Sequence, residues 1–253
     1  MNILYCYKGD GDFSSVALRF SLRSVDRHMA NVDRVALVGT GFPDWLRGEH
    51  VDLVPCAIPY RRKQQNLLFE MLSGLKTLGW GPCLCSSDDH ICTFDCDADR
   101  FPWYCNGALP SKDMYIAQGK MMTPYRASLA ATHDLLETKG YPFDLKMSGH
   151  VNTHVDSGDV AEVEALAGDY GSTKWGYEPS ELFAAVARRR DSSIKPVLRY
   201  DVKLMNPCSK SFIEDENGKG LGFISMSDVA LLGGGDLLPW LLERFPGKSR
   251  WEA

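Results

Sequence analysis

The chain has 253 residues, enough to bury one sizeable core, and its 44% hydrophobic and 24% charged content is that of an ordinary globular protein. A net charge of −5 excludes a protein that coats nucleic acid through bulk positive charge, while leaving a local basic patch open. No run approaches the ~20 apolar residues of a membrane span, and the amino terminus MNILYCYKGD has no basic region followed by a long apolar segment, so the expectation is a cytoplasmic protein with no membrane partner.

The first element, NILYCY, is a short apolar strand, and KGDGD reads as a turn. Leu18, Leu22, Val25 and Met29 then recur at helical spacing. RVALVG and VDLVP are two further strands. A second helix after Pro59 carries Leu67, Met71, Leu75 and Leu78 on its apolar face, and CLCSS is a fourth strand. Strands alternating with helices predict an α/β fold with a mainly parallel central sheet covered on both faces. Beyond residue 105 the pattern is less regular. TPYRASLAATHDLLETKG is a helix with Thr123 as its cap, Pro124 in its first turn and Gly140 as its stop. VAEVEAL, SELFAAVARRR and DVALLGGGDLLPWLLERF are further helical regions, the last broken at GGG and Pro239. No linker or repeat divides the chain, which predicts one domain over 1–253.

Five of the 8 cysteines, Cys83, Cys85, Cys92, Cys96 and Cys105, crowd into one region. Their spacing lacks the paired C-x2-C knuckles of a zinc site and favours reduced thiols, with Cys83 and Cys85 on one face of their strand. The chemistry-bearing stretch follows that strand: SSDDH places Asp88 and Asp89 side by side. Adjacent carboxylates repel each other unless a cation or a donor-rich ligand lies between them. In a parallel sheet, ligands collect beyond the carboxyl ends of the strands, where this pair emerges. The same pair in a solvated turn is the alternative.

Other candidates follow from position. Tyr7 and Lys8 lie just past the first strand, at the expected nucleotide crevice. Arg19 and Arg23, four apart on a helix, face either a diphosphate or acidic neighbours. Arg61, Arg62 and Lys63 open a helix with three positive charges, which the helix dipole disfavours unless an anion or carboxylate answers them. Arg188, Arg189 and Arg190 are a second basic run, at a helix end that suits cations. Asp201 and Lys203, two apart in an extended segment, share a face, where one could take a proton and the other hold phosphate; a surface ion pair is the alternative. Trp103 and Tyr104 are either core or a stacking surface for a sugar or base.

Three blocks carry a family resemblance: ALRFSLRSVDRHMANVDRVALVGTGFPDWL, SSDDHICTFD, and the tail GFISMSDVALLGGGDLLPWLLERFPGKSRWE. Together they resemble phage-encoded glycosyltransferase-like proteins, some akin to TET-associated DNA glycosyltransferases, and more distantly the Stealth-type sugar-phosphate transferases. The likeness runs in blocks from about residue 5 to the end and is weakest between residues 105 and 145. It implies a GT-A-type Rossmann-like fold with a nucleotide-sugar-binding half, 1–105, and an acceptor-side half, 106–253. The implied activity is transfer of a sugar from a nucleotide diphosphate donor, such as a UDP-sugar, to an acceptor hydroxyl, with hydroxymethylated pyrimidines in DNA as the implied acceptor.

The same resemblance assigns a divalent metal, Mn or Mg, to Asp88 and Asp89, with Asp89 also counted as catalytic; Ser87 stands where the relatives often have Asn. It adds His150 as a third metal ligand, with His154 competing for that role. Lys63 and Asn66 match the phage pattern best, and with Tyr7, Lys8, Arg19, Arg23, Asp88 and Lys203 they make up the expected donor-binding set. Asp201 becomes the acceptor-side base, and Arg61, Arg62, Trp103 and Tyr104 the residues facing DNA. A Stealth-like sugar-phosphate transferase and a non-catalytic nucleotide-sugar-binding module are the alternatives.

Overall fold

The structure, a computed structural model, describes residues 1–9, 11–46, 49–199, 202–219 and 222–253. Its strands in chain order are β1 (Asn2–Lys8), β2 (Met29–Ala30), β3 (Val35–Thr40), β4 (Val51–Pro55), β5 (Cys83–Ser86), β6 (His90–Cys92), β7 (Cys96–Asp97), β8 (Tyr104–Cys105), β9 (Thr153–Val155), β10 (Val197–Leu198), β11 (Lys203–Leu204) and β12 (Phe223–Met226). Its α-helices are α1 (Asp12–His28), α2 (Lys63–Leu78), α3 (Lys112–Ala117), α4 (Pro124–Lys139), α5 (Val160–Ala167), α6 (Pro179–Arg190), α7 (Lys210–Gly218), α8 (Asp228–Leu232) and α9 (Leu237–Arg244).

The central sheet has the order β4-β3-β1-β5-β9, parallel through its first four strands, with β9 antiparallel to β5. The chain builds outward from β1 to β4 and then returns to the other side of β1 as β5. The strand order therefore reverses between β1 and β5, which opens a crevice at their carboxyl ends. This architecture is α/β with a mostly parallel central sheet flanked by helices, as the alternation of strands and helices predicts, and it is compatible with a Rossmann-like fold.

Both faces of the sheet are covered. Ile3, Tyr5 and Tyr7 pack toward α1 with Leu18, Leu22 and Val25. Leu4 and Val38 pack toward α2 with Leu68, Met71, Leu72 and Leu75. Each such side chain contributes roughly 1.5–3 kcal/mol by leaving water. The buried face of α2 is thus centred on Leu68 and Leu72 as well as Met71 and Leu75, while Leu67 and Leu78 lie half-buried on its flanks. The helix sits close enough that a Cβ on Gly74 would meet Val38 Cγ2 at 2.5 Å. Met29 packs into the core from just past the end of α1.

The α4 termini are as the sequence predicts: the Thr123 hydroxyl accepts from Arg126 N, Pro124 opens the helix, and Gly140 ends it in the left-handed region at φ 68°. The last helical region breaks at GGG, whereas Pro239 sits within the first turn of α9, where its missing N–H is tolerated. The irregular carboxyl-terminal part returns onto α1. A three-stranded sheet, β11-β12-β6, and helices α7 to α9 bury Ile91, Leu204, Ile224, Leu237 and Leu241 against Ala17 and Phe20. No helix among the described residues is long and apolar enough to cross a membrane.

Candidate functional site

The site begins with a turn. His90 N donates to Ser87 O at 3.1 Å, so Asp88 and Asp89 occupy the corner between β5 and β6 and project there. Strand β6 is fixed from two sides. On one edge it pairs antiparallel with β12. On the other, α1 replaces a strand: Ser21 Oγ donates to His90 O at 2.7 Å, and Cys92 N donates to Ser24 Oγ at 2.9 Å.

Strand register then assembles the site. His90 lies opposite Ser225, and Ser225 opposite Lys203, so three polar residues form one row across β6, β12 and β11. Asp89, beside His90, takes the donors of that row: Ser225 Oγ at 2.7 Å and Lys203 Nζ at 3.5 Å. His90 Nε2 lies 3.7 Å from Asp89 Oδ1, and His90 Nδ1 is buried with no hydrogen-bond partner among the described residues. The His150 ring meets the His90 ring edge-on at 6.1 Å.

The two adjacent carboxyls are driven apart in acidity. Burial, followed by the charge of Asp89, pushes Asp88 up to about 7 against the pull of Lys63. Burial also acts to raise Asp89, but His90, Lys203 and the Ser225 hydroxyl together hold it well below the usual carboxylate range. Burial draws His90 down to about 4, so at neutral pH its imidazole is uncharged and Lys203 with Ser225 sustains the Asp89 charge. Glu70 of α2, 4% exposed, is raised to about 7 by burial, with Lys63 and Lys8 opposing. Lys63 is thus within electrostatic range of Asp88, His90 and Glu70 at once.

The structure brings Asp88, Asp89, Lys8, Lys63 and Lys203 to one end of the sheet, with His150 beside His90. Other predicted residues are placed elsewhere. Tyr7, 1% exposed, packs its ring into the core, because odd-numbered side chains of β1 face α1. Asn66 closes its own loop, accepting from Tyr60 N and donating to Tyr60 O. Arg23 grips Glu252 through two hydrogen bonds of 2.7 and 2.8 Å, and Arg19 reaches the same carboxylate at 3.4 Å while lying over the Trp45 ring. Acidic neighbours, rather than a crevice ligand, thus account for both guanidiniums.

Trp103 stacks on His154 at 4.5 Å, and Tyr104 lies under the Arg199 guanidinium at 5.2 Å; both line one cavity with Asn152 and Thr153. His154 Nε2 donates to Phe101 O, 2.9 Å away, which ties that ring to the 101–105 segment. Arg62 lies over Trp175 at 4.5 Å and donates to Lys174 O, whereas Arg61 is exposed. The second basic run is partnered: Arg188 with Asp144, Arg190 with Asp159, and Arg189 over Tyr141. Asp201 lies outside the described residues.

The described residues fit a divalent ion in part. Asp88 and Asp89 offer hard oxygen atoms at the corner after β5, and burial, followed by the charge of Asp89, disfavours the ionised form of Asp88, a penalty that a dication would relieve. His150 does not close the set. Among the described residues, three ligand atoms lie within 4.8 Å of one another only at His133, Asp134 and Glu137. That group sits on α4, with both acids exposed and the His133 ring edge-on to Phe143. The described cysteines form no such group and are free thiols.

The residues of the site whose roles sequence reasoning missed are Ser225, His90 and Glu70. His90 stood in the quoted SSDDH stretch, but its role follows from strand register, which no local pattern reveals. Compared with protein-family models and with curated protein sequences, the chain finds no match.

Proposed function

We propose that this protein transfers a sugar from a nucleotide diphosphate donor to an acceptor hydroxyl, with the donor diphosphate lying over the crevice between β1 and β5. One observation carries the reading: at the strand-order reversal, two consecutive carboxylates shifted in opposite directions face lysines from two other elements, Asp88 the Lys63 of α2 and Asp89 the Lys203 of β11. The resemblance of the SSDDH block and the tail to phage glycosyltransferase-like proteins supports it.

In this mechanism Asp89, kept ionised by Lys203 and Ser225, supplies a fixed negative charge. Asp88 becomes fully ionised only when a cation shares the site. A divalent ion bound there, Mn or Mg, would neutralise the departing diphosphate. Lys63 and Lys8 hold phosphate oxygens and orient the donor. Neutral His90, buried behind the pair, fixes the turn without adding charge. Arg61, exposed at the entry to α2, begins the track along which an anionic acceptor such as hydroxymethylated DNA would lie.

Incubation with a panel of nucleotide sugars and manganese separates the alternatives. Release of nucleoside diphosphate is expected. Release of monophosphate would mean sugar-phosphate transfer, and binding without release a carrier module.

A further inference from the structure

Tyr115 is the buried anchor of α3, and the chain around it is held out in water. Ser111 Oγ accepts from Met114 N at 3.2 Å at the start of the helix. The Arg126 guanidinium lies 5.8 Å from the centre of the Tyr115 ring, and its Nη1 donates to Met121 O at 2.7 Å. The segment is therefore pinned at its start, its centre and its end. Yet Met114, Ile116, Met121 and Met122 are all exposed, Ile116 at 62% and Met121 at 78%. Large apolar side chains fixed so close together in water cost free energy unless something covers them, and such surfaces mark interaction sites.

Shape and charge together point to what covers them. At about 100° per residue, Met114 and Ile116 leave the helix on opposite flanks of Tyr115. Ala117, Gln118 and Gly119, which lead on to Met121 and Met122, are exposed as well. The apolar groups thus surround a projecting ridge and do not line a groove. A folded partner would need a matching cleft, whereas the boundary between lipid headgroups and acyl chains closes around such a ridge. Lys112 opens α3 and Lys120 follows it, both exposed, and Arg126 comes next. Asp113 is the one acid among them, in a chain whose net charge is −5. Cations flanking an apolar ridge complement anionic headgroups over an acyl interior.

We propose that the 112–122 ridge docks this protein on an anionic lipid bilayer. Met114, Ile116, Met121 and Met122 enter the boundary below the headgroups, and Lys112 and Lys120 meet the headgroup anions. Such a contact lies in the plane of the interface and needs no spanning helix, so it replaces the expectation of no membrane partner. It does not depend on the transferase reading.

The test sediments the full chain with vesicles of phosphatidylcholine, alone or mixed with phosphatidylserine, at low and at physiological salt. Binding should require phosphatidylserine and weaken as salt rises. Lys120→Gln should lower the affinity about fivefold, the worth of one lysine near such a surface. Lys139→Gln, exposed at the far end of α4, should leave it unchanged. Met121→Ser combined with Met122→Ser should lower it by about tenfold or more. Thermal melts of these variants should match wild type, because every altered position is exposed. Absent sedimentation with phosphatidylserine, equal sedimentation without it, or sedimentation that survives either the Lys120 or the paired methionine change overturns the proposal. So does a chain that binds duplex DNA, or a second copy of itself, through these residues and binds no vesicle.

Discussion

Asp88 and Asp89 are neighbours in sequence, yet removing their charges should change stability in opposite directions. Asp88 is raised from 3.8 to about 7 on folding, so its ionisation disfavours the folded state as pH climbs through that range. Asp88→Asn should therefore be more stable than wild type at pH 8, by about 2 kcal/mol after allowing for its half-buried position, with the difference vanishing below about pH 4. Asp89 is depressed, so it contributes stability above its ordinary value that is lost as pH falls through its folded one. Asp89→Asn should lose about 1–3 kcal/mol at pH 8, because it weakens the bonds from Ser225 and Lys203, and should approach wild type only in strong acid, well below pH 4. Thermal melts at pH 4 and 8 should therefore show the Asp88→Asn difference vanishing at pH 4 and the Asp89→Asn loss persisting there, and a stabilised Asp89→Asn would contradict this. The pair itself was legible in the sequence as an apolar strand ending in two acids. Which acid is anchored was not, since that depends on Ser225 and Lys203 arriving from more than a hundred residues away.

At the scale of elements, the clearest long-range contact joins α1 to the carboxyl-terminal tail. Trp251 is fully buried, and the Glu252 carboxylate, 2% exposed, receives Arg23 bidentately. Arg23→Ala should cost about 3–5 kcal/mol, because it strands a buried charge, and Glu252→Gln in the same chain should recover part of the loss. Urea denaturation measures both, and manganese-dependent nucleotide affinity should be little changed. A large loss of affinity with full stability would instead place Arg23 on the donor. The strands and helices of the first half were legible because apolar residues recur at helical spacing in α1 and run continuously through β1, β3 and β5. The short strands β6, β11 and β12 were not, since two to four residues carry too little pattern and gain their order from α1 serines and from one another. Arg19 and Arg23 illustrate the same limit: helical spacing predicts that they share a face, but the identity of what they face resides in a tail residue.

For the molecule as a whole, the net charge of −5 means that an anionic polymer would be engaged through local cations alone. The exposed Lys63 acts on Asp88 and the exposed Arg61 lies two residues before it, whereas the run at 188–190 is partnered within the fold. If hydroxymethylated DNA is the acceptor, DNA bearing 5-hydroxymethylcytosine or 5-hydroxymethyluracil should gain the mass of one sugar per modified base, and Arg61→Ala should flatten the salt dependence of binding by about one phosphate contact. Mass spectrometry showing no added sugar with any donor that the protein turns over would redirect the acceptor to glycan, lipid or protein.

The account depends most on the claim that Asp88 and Asp89 hold a nucleotide diphosphate through a divalent ion. Calorimetric titration of UDP into the protein, with and without manganese, measures this directly. Binding should require manganese in wild type and be abolished in Asp89→Asn, even at a temperature where that variant remains folded. UDP affinity that is equal without the metal, or unchanged in Asp89→Asn, would contradict the account.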